Sequence, residues 1–168
     1  MALRFFAASR RRSPKGPRQY GRVSTAPNVL HTVAIKLKIP DNTAYSALTA
    51  LRRLGVNVAV VERAEIWQFS GPASADDVAA SVRRNELLFN PNKHVLEVLE
   101  SAEPRTGETW ITGLAATDET QGGSSKAAAR HYVGWRLFDE NGKPAKRVVV
   151  QDAIKKLLCN PAIERAIV

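Results

Sequence analysis

LLFNPNKHVLEVL at residues 87–99 and LLCNPAIERAIV at residues 157–168 are two copies of one short pattern. In each copy two leucines are followed by one residue, an Asn-Pro pair and then alternating apolar residues. Proline lacks an amide hydrogen and disfavours the helical conformation in the residue before it, so Asn-Pro is expected to end a helix. The alternation that follows is typical of a strand. The repeat therefore predicts two related units, each with a helix followed by a strand that packs back on it.

The first unit begins with a strand at residues 31–39, where apolar and polar residues alternate. A helix capped at residue 41 or 42 follows, with one apolar stripe, and Gly55 is well placed to end it. Residues 57–69 predict a second, longer strand. The alternation slips at residues 60–61, which favours a β-bulge there.

Ser74 and Asp77 have the spacing of a capping box and predict the start of a second helix. The pattern extends this helix through the Leu-Leu pair and ends it at Asn90. Residues 94–100 then predict the next strand. The predicted order of this first unit, residues 29–101, is β-α-β-α-β.

The second unit, residues 131–168, is a partial copy. Residues 102–130 are polar and rich in turn formers, which favours a linker or loop with one strand near its start. A strand is predicted at 130–139 and a turn at 141–142, with Pro144 in the first turn of the following helix. The sequence thus predicts an α+β fold, a mostly antiparallel sheet with helices on one face, built from two related α/β units.

Charge is distributed unevenly along the 168 residues. Nine of the 25 Lys and Arg residues precede Asp41, the first acidic residue, so the rest balance the 16 acids. Residues 1–28 contain three prolines and seven bases and are too polar to form a core, which predicts an extended basic arm. The predicted partner- and anion-binding residues are Arg4, Arg10, Arg11, Arg12, Lys15, Arg18 and Arg22. The predicted membrane or partner anchor consists of Leu3, Phe5 and Phe6.

Three surfaces suit such an arm. Its bases can meet an acidic protein groove, or an anionic membrane that the apolar anchor enters. Nucleic-acid phosphates are the less favoured third choice, with Tyr20 available to stack on bases. No stretch reaches the roughly 20 apolar residues of a membrane span, and the early apolar run is too short for a secretory signal. We therefore expect a cytoplasmic protein, at most peripheral on the cytoplasmic side of a membrane.

No group of residues predicts a catalytic, metal or cofactor site. His31, His94 and His131 lack metal-ligand spacing, and the single cysteine, Cys159, follows an apolar Leu-Leu pair where an inert buried thiol is expected. The GGSSK stretch at 122–126 lacks the strand and helix that frame a phosphate-binding loop, which favours a flexible loop. We expect no enzyme activity, no metal and no cofactor.

The β-α-β-α-β order and the ending KKLLCNPAIERAIV resemble the PurS family, the small subunit of bacterial phosphoribosylformylglycinamidine synthase. The resemblance covers about residues 31–100 and, in part, 130–168. It implies a non-catalytic subunit that dimerises and holds a synthase and a glutaminase together in purine biosynthesis. This chain is about twice the family's length, carries the basic arm, and has Ala64-Glu65 where the family has Gly-Lys. The resemblance therefore implies the fold more strongly than the role.

The leading hypothesis is a non-catalytic accessory or scaffold subunit of a multiprotein assembly, anchored by its arm. The host can be a respiratory or photosynthetic membrane complex, and a homodimer through the sheet is expected. The alternatives are a small subunit of the purine-pathway synthase and a nucleic-acid- or ribosome-associated protein.

Overall fold

The computed structural model describes residues 29–114 and 129–168, so the arm and most of the predicted loop lie outside the described residues. The strands are β1 (Val29–Leu37), β2 (Val60–Gly71), β3 (His94–Leu99), β4 (Glu108–Gly113), β5 (Ala129–Phe138) and β6 (Glu164–Ile167). The helices are α1 (Asn42–Arg53), α2 (Ala75–Arg84) and α3 (Arg147–Ala153), and a π-helical turn (Ile154–Leu158) continues α3.

The six strands form one sheet in the order β3-β1-β2-β5-β4-β6, and every neighbouring pair is antiparallel. This confirms the predicted α+β fold with an antiparallel sheet. The order is symmetric. In the first half β1 lies between β3 and β2, and in the second half β4 lies between β6 and β5. The halves join where β2 pairs with β5, from Val60 opposite Phe138 to Phe69 opposite Ala129.

All three helices lie on one face of the sheet, as predicted. α2 packs Val78 and Val82 against Val33 of β1. α1 packs Leu51 into a second cluster with Leu137 of β5, and α3 contributes to that cluster. The strand register places Val33 and Leu137 on the same face, since side chains alternate along each strand.

The opposite face is crossed by the connection at residues 100–107, which joins β3 at one edge to β4 in the other half. The side chain of Gln68 donates to the carbonyl of Ala102 at 2.7 Å and fixes this crossing. Ile66 and Trp110 form part of a buried cluster on this face. Residues 102–107 are thus part of the packing of the sheet, and β4 follows directly.

Local capping signals place the helix ends. The Asp41 carboxylate accepts a hydrogen bond from the Thr43 amide at 2.8 Å, and Gly55 just beyond α1 has φ of 76°. Ser74 Oγ accepts from the Asp77 amide at 3.2 Å, and the Asp77 carboxylate accepts from the Ser74 amide at 3.3 Å. The predicted capping box and the predicted end at Gly55 are confirmed.

The two Asn-Pro sequences have the same local structure. Oδ1 of Asn90 and of Asn160 accepts from the amide two residues later, at 2.9 and 3.1 Å respectively. Their carbonyl oxygens each accept from the amide four residues later at 2.8 Å. The repeated motif is therefore one helical turn, closed by an asparagine side chain, that leads into an edge strand.

The predicted extent of α2 is wrong, because the helix ends at Arg84 rather than near Asn90. Asn85 interrupts it, since its side-chain oxygen accepts from the Leu87 amide at 3.1 Å and starts a separate turn. Leu87 is 95% exposed, whereas Leu88 packs against the α2 cluster. Only the second leucine of the pair closes the apolar face.

Two further predictions are wrong. β2 pairs with β5 in continuous register from Val60, so there is no bulge at Val60-Val61; Val60 simply faces the opposite side. Pro144 is not in a helix, because it pairs with Phe138 as a bridge after the turn and α3 begins at Arg147.

Candidate binding groove

The pair of strands that joins the halves carries two equivalent tryptophans. When Asn90 is aligned with Asn160, β3 corresponds to β6, β1 to β4 and β2 to β5. The strand pairings then give Trp67 on β2 and Trp135 on β5 the same position in their two halves. Both side chains lie on the helix-bearing face. The sequence alone does not mark either residue, because their relation appears only once the strand register is known.

Each tryptophan lies beside a basic side chain, a histidine or an arginine, of the neighbouring strand. The ring centroids of Trp67 and His131 are 4.4 Å apart with planes inclined by 31°. Cζ of Arg63 lies 5.9 Å from the ring centroid of Trp135, within the range of a cation–π contact. The register makes these cross-strand pairs the two ends of one symmetric arrangement.

Glu65 lies at the centre of this arrangement. Its Oε1 accepts from Nη2 of Arg63 at 2.5 Å, and its Oε2 lies 2.6 Å from Nε2 of His131. The hydrogen bond with His131 lowers the pKa of Glu65 below its ordinary value, against the opposing effect of burial, and Arg63 lowers it further. Nη1 of Arg63 also lies 3.9 Å from the carboxylate of Asp41, which caps α1.

A groove of about 1210 Å³ is lined in part by Arg63 and His131. Its lining includes both tryptophans, Ile111 of β4, Val133 of β5 and Thr43 at the start of α1. Further lining comes from the π-helical turn and from β6. The groove therefore lies over the junction of the halves and extends across the second one.

The histidines do not form a common site within residues 29–114 and 129–168. His31 Nε2 lies 2.8 Å from the Ala73 carbonyl, and His94 Nδ1 accepts from the Asn90 amide at 3.1 Å. In that described part of the chain, no three His, Cys, Asp or Glu residues are arranged to hold a metal ion. Cys159 is half-buried rather than buried as expected, and this partial burial together with the Glu164 carboxylate raises the pKa of its thiol, which disfavours the nucleophilic thiolate.

The predicted anion-binding residues and the anchor residues, all within 1–28, lie outside the described residues, as does the GGSSK stretch. Among the helices that are described, none is long and apolar enough to cross a membrane. Comparison with models of known protein families finds no match to this chain, and a search of curated proteins also finds none.

Proposed function

We propose that this chain is a non-catalytic accessory subunit of a larger multiprotein assembly, with the sheet as a scaffold and the groove as a docking site. The observation that carries this proposal is the open groove with Trp67 and Trp135 along its floor. Tryptophan and arginine are enriched at protein–protein interfaces and supply much of their binding energy. A groove of 1210 Å³ also exceeds the roughly 300–1,000 Å³ of small-molecule pockets.

The basic arm at residues 1–28 anchors the subunit to its host in this proposal. Its support is the charge distribution, since the arm holds seven bases and no acid while residues 41–168 are neutral overall. An acidic protein surface or the anionic lipid on the cytoplasmic side of a membrane complex is the proposed anchor point.

Removal of residues 2–28 tests the anchoring. The truncated protein is expected to lose at least nine tenths of its occupancy in the native complex, measured by native electrophoresis and quantitative mass spectrometry. Its circular dichroism and thermal unfolding should match those of the full chain, because the described fold begins at Val29. Unchanged occupancy of the truncated protein contradicts the proposal.

Two full-length variants separate the anchoring surfaces. Replacement of the seven arm bases by Gln should release the protein if charge anchors it, whereas replacement of Leu3, Phe5 and Phe6 by Ser should release it if lipid or an apolar pocket does. Binding to nucleic acid would instead show a log–log salt slope of about −6, from seven neutralised phosphates. Such a slope with purified RNA or DNA at physiological salt would favour the nucleic-acid alternative.

A second candidate function is the small-subunit role in phosphoribosylformylglycinamidine synthase. Its support is the resemblance of the β-α-β-α-β order and of the ending KKLLCNPAIERAIV to the PurS family. Co-purification with synthase and glutaminase subunits, together with rescue of a purine auxotroph, would support this role.

Sedimentation of the purified protein also tests the proposed homodimer through the sheet, whose described edges are β3 and β6.

A further inference from the structure

We infer that a basic surface at the end of α1 and along α3 binds an acidic segment of a partner protein, which inserts an apolar side chain between α3 and the turn after α1. The inference adds a second contact, separate from the groove, to the proposed accessory subunit, and it rests on that proposed role.

The described helices differ in charge. α2 carries two acids and two bases and is therefore balanced. The last turn of α1 and the segment 146–158, which contains α3 and its π-helical turn, carry six bases and one acid. Because residues 41–168 are neutral overall, this basic surface is a local concentration of charge that the totals conceal. Its bases, all exposed, are Arg52, Arg53, Lys146, Arg147, Lys155 and Lys156.

Most of this charge has no counter-ion. The Asp152 carboxylate lies 2.8 Å from Nζ of Lys156 and offsets that base alone. Arg52 donates to the carbonyls of Val58 and Ala59, which carry no formal charge. In the part of the chain that the structure describes, the other four bases make no ion pair with a carboxylate. The basic surface is therefore complementary to carboxylates from outside the chain.

A pocket of about 360 Å³ lies within the basic surface. One wall is the turn at residues 55–57, and the other is α3 with its π-helical turn, from which Val148, Asp152 and Lys155 line it at spacings of four and three. No described residue lines both this pocket and the groove. Clefts of roughly 300–1,000 Å³ hold whole small molecules, so this pocket has room for a single inserted side chain.

The pocket combines apolar side chains with unpaired polar ones, as protein–protein interfaces do. Val56, which is buried, and Val148, which is 67% exposed, both line it. Leu54, at the end of α1 beside the pocket, is also exposed. The side-chain amides of Asn57 and Gln151 line the pocket and have no hydrogen-bond partner among the described residues. They are available to the backbone of an inserted segment.

These features favour a protein over a membrane or a nucleic acid. An apolar patch that enters a membrane projects from the surface, whereas here the apolar side chains line a concave pocket. None of the described residues that line the pocket is aromatic, so nucleic-acid bases have no side chain to stack on there. An acidic polypeptide with one exposed apolar side chain can fill the pocket and pair with the bases around it.

Carbodiimide coupling of the full-length protein within its native complex tests the inference, because the reagent joins a lysine amine to a carboxylate in contact with it. Lys155 is expected to form an amide bond with an Asp or Glu of another protein, identified by mass spectrometry. Lys93, an exposed lysine just before β3, is the control and should give at least five-fold less of such a product. Lys155→Arg keeps the charge but lacks the reactive amine, so it should lose the crosslink and retain wild-type occupancy of the complex.

Charge reversal measures the same contact without a reagent. Arg53→Glu combined with Lys155→Glu should lower occupancy of the native complex at least five-fold. Arg83→Glu combined with Lys93→Glu changes the net charge equally on the α2 side and should lower it less than twofold. Val148→Ser leaves the charge unchanged and should lower it at least twofold. All five side chains are exposed, so circular dichroism should match that of the wild type. If a reversal unfolds the protein, the wild-type crosslink decides.

Coupling of Lys155 only to its own chain or to a second copy, equal losses from the two double reversals, or wild-type occupancy of Val148→Ser would overturn the inference. It is also overturned if the purified protein binds phosphatidylserine vesicles or RNA through Arg53 and Lys155 while no crosslink forms in the complex. If removal of residues 2–28 releases the protein but Lys155 gives no product, only the inference fails. If the full-length protein migrates outside any complex in the native extract, the proposed subunit role fails with it.

Discussion

Replacement of Glu65 by Gln should destabilise the protein by roughly 1–2 kcal/mol at neutral pH. The carboxylate makes two short contacts, with Arg63 and His131, and hydrogen bonds to charged groups contribute about 1.5–3 kcal/mol each when buried. The side chain is 34% exposed, so solvent screening reduces their sum to about half or less. Glutamine preserves the shape but not the charge. For a fold of this size the loss corresponds to a decrease in Tm of about 3–6 °C.

The pH dependence has a definite sign. The pKa of Glu65 in the folded protein lies below its ordinary value of 4.5, so its stabilising effect is fully present above pH 4.5. The effect is lost as the pH falls through the lower pKa of the folded state, where the carboxylate becomes protonated. The difference in unfolding free energy between wild type and Glu65→Gln should therefore fall as the pH is lowered below 4.5 and vanish in acid.

Urea denaturation of the full-length proteins, followed by far-UV circular dichroism between pH 3 and pH 7, measures this difference. Glu86→Gln, at an exposed carboxylate, is the control and should change stability by less than about 0.5 kcal/mol. In a double-mutant cycle, Glu65→Gln should lower the unfolding free energy less in a His131→Gln background than in the wild type. The hydrogen bond from His131 has the largest effect on the pKa of Glu65, so its loss removes part of what Glu65 contributes. If Glu65→Gln lowers the unfolding free energy as much at pH 3 as at pH 7, or does not lower it at pH 7, this account of the junction is refuted.

Two further predictions concern the backbone. Gly107→Ala should cost roughly 2–4 kcal/mol, because φ is 77° and an added Cβ would lie 2.9 Å from backbone atoms of two neighbouring segments. Gly55→Ala, with φ of 76° but no atom within 4 Å, should cost only about 1–2 kcal/mol, and equal costs in thermal unfolding would contradict the role of the close approach. Asn90→Ala and Asn160→Ala should each cost about 1 kcal/mol, because each asparagine closes the same turn. A difference of more than twofold between them in urea unfolding would argue against the equivalence of the two motifs.

The parts of the fold that could be predicted are those specified by neighbouring residues. Alternation identified the strands, and the capping residues Asp41 and Ser74 identified the starts of two helices. Local patterns failed where a side chain competed with the helix for backbone groups. Asn85 ends α2 early because its side-chain oxygen accepts from the Leu87 amide, whereas the sequence pattern had extended the helix to the Leu-Leu pair.

The groove could not be predicted, because its members meet only through the strand register. Trp67 and His131 are 64 residues apart in the chain, yet they pair across β2 and β5. In the sequence Glu65 differs from the PurS pattern but gives no sign that it joins Arg63 to His131. The crossing at residues 100–107 was missed for a similar reason, since its packing depends on Gln68 of a distant strand.

The junction between the halves has two physical roles that are thermodynamically linked. The ten residue pairs of β2 and β5 hold the halves together, and the same strands provide part of the floor of the groove. A partner docked in the groove as proposed would contact strands of both halves at once. Binding must then stabilise the junction by the same free energy by which an intact junction favours binding. Occupation of the groove should therefore raise the cooperativity of unfolding between the halves, and a weakened junction such as that of Glu65→Gln should bind its partner less tightly.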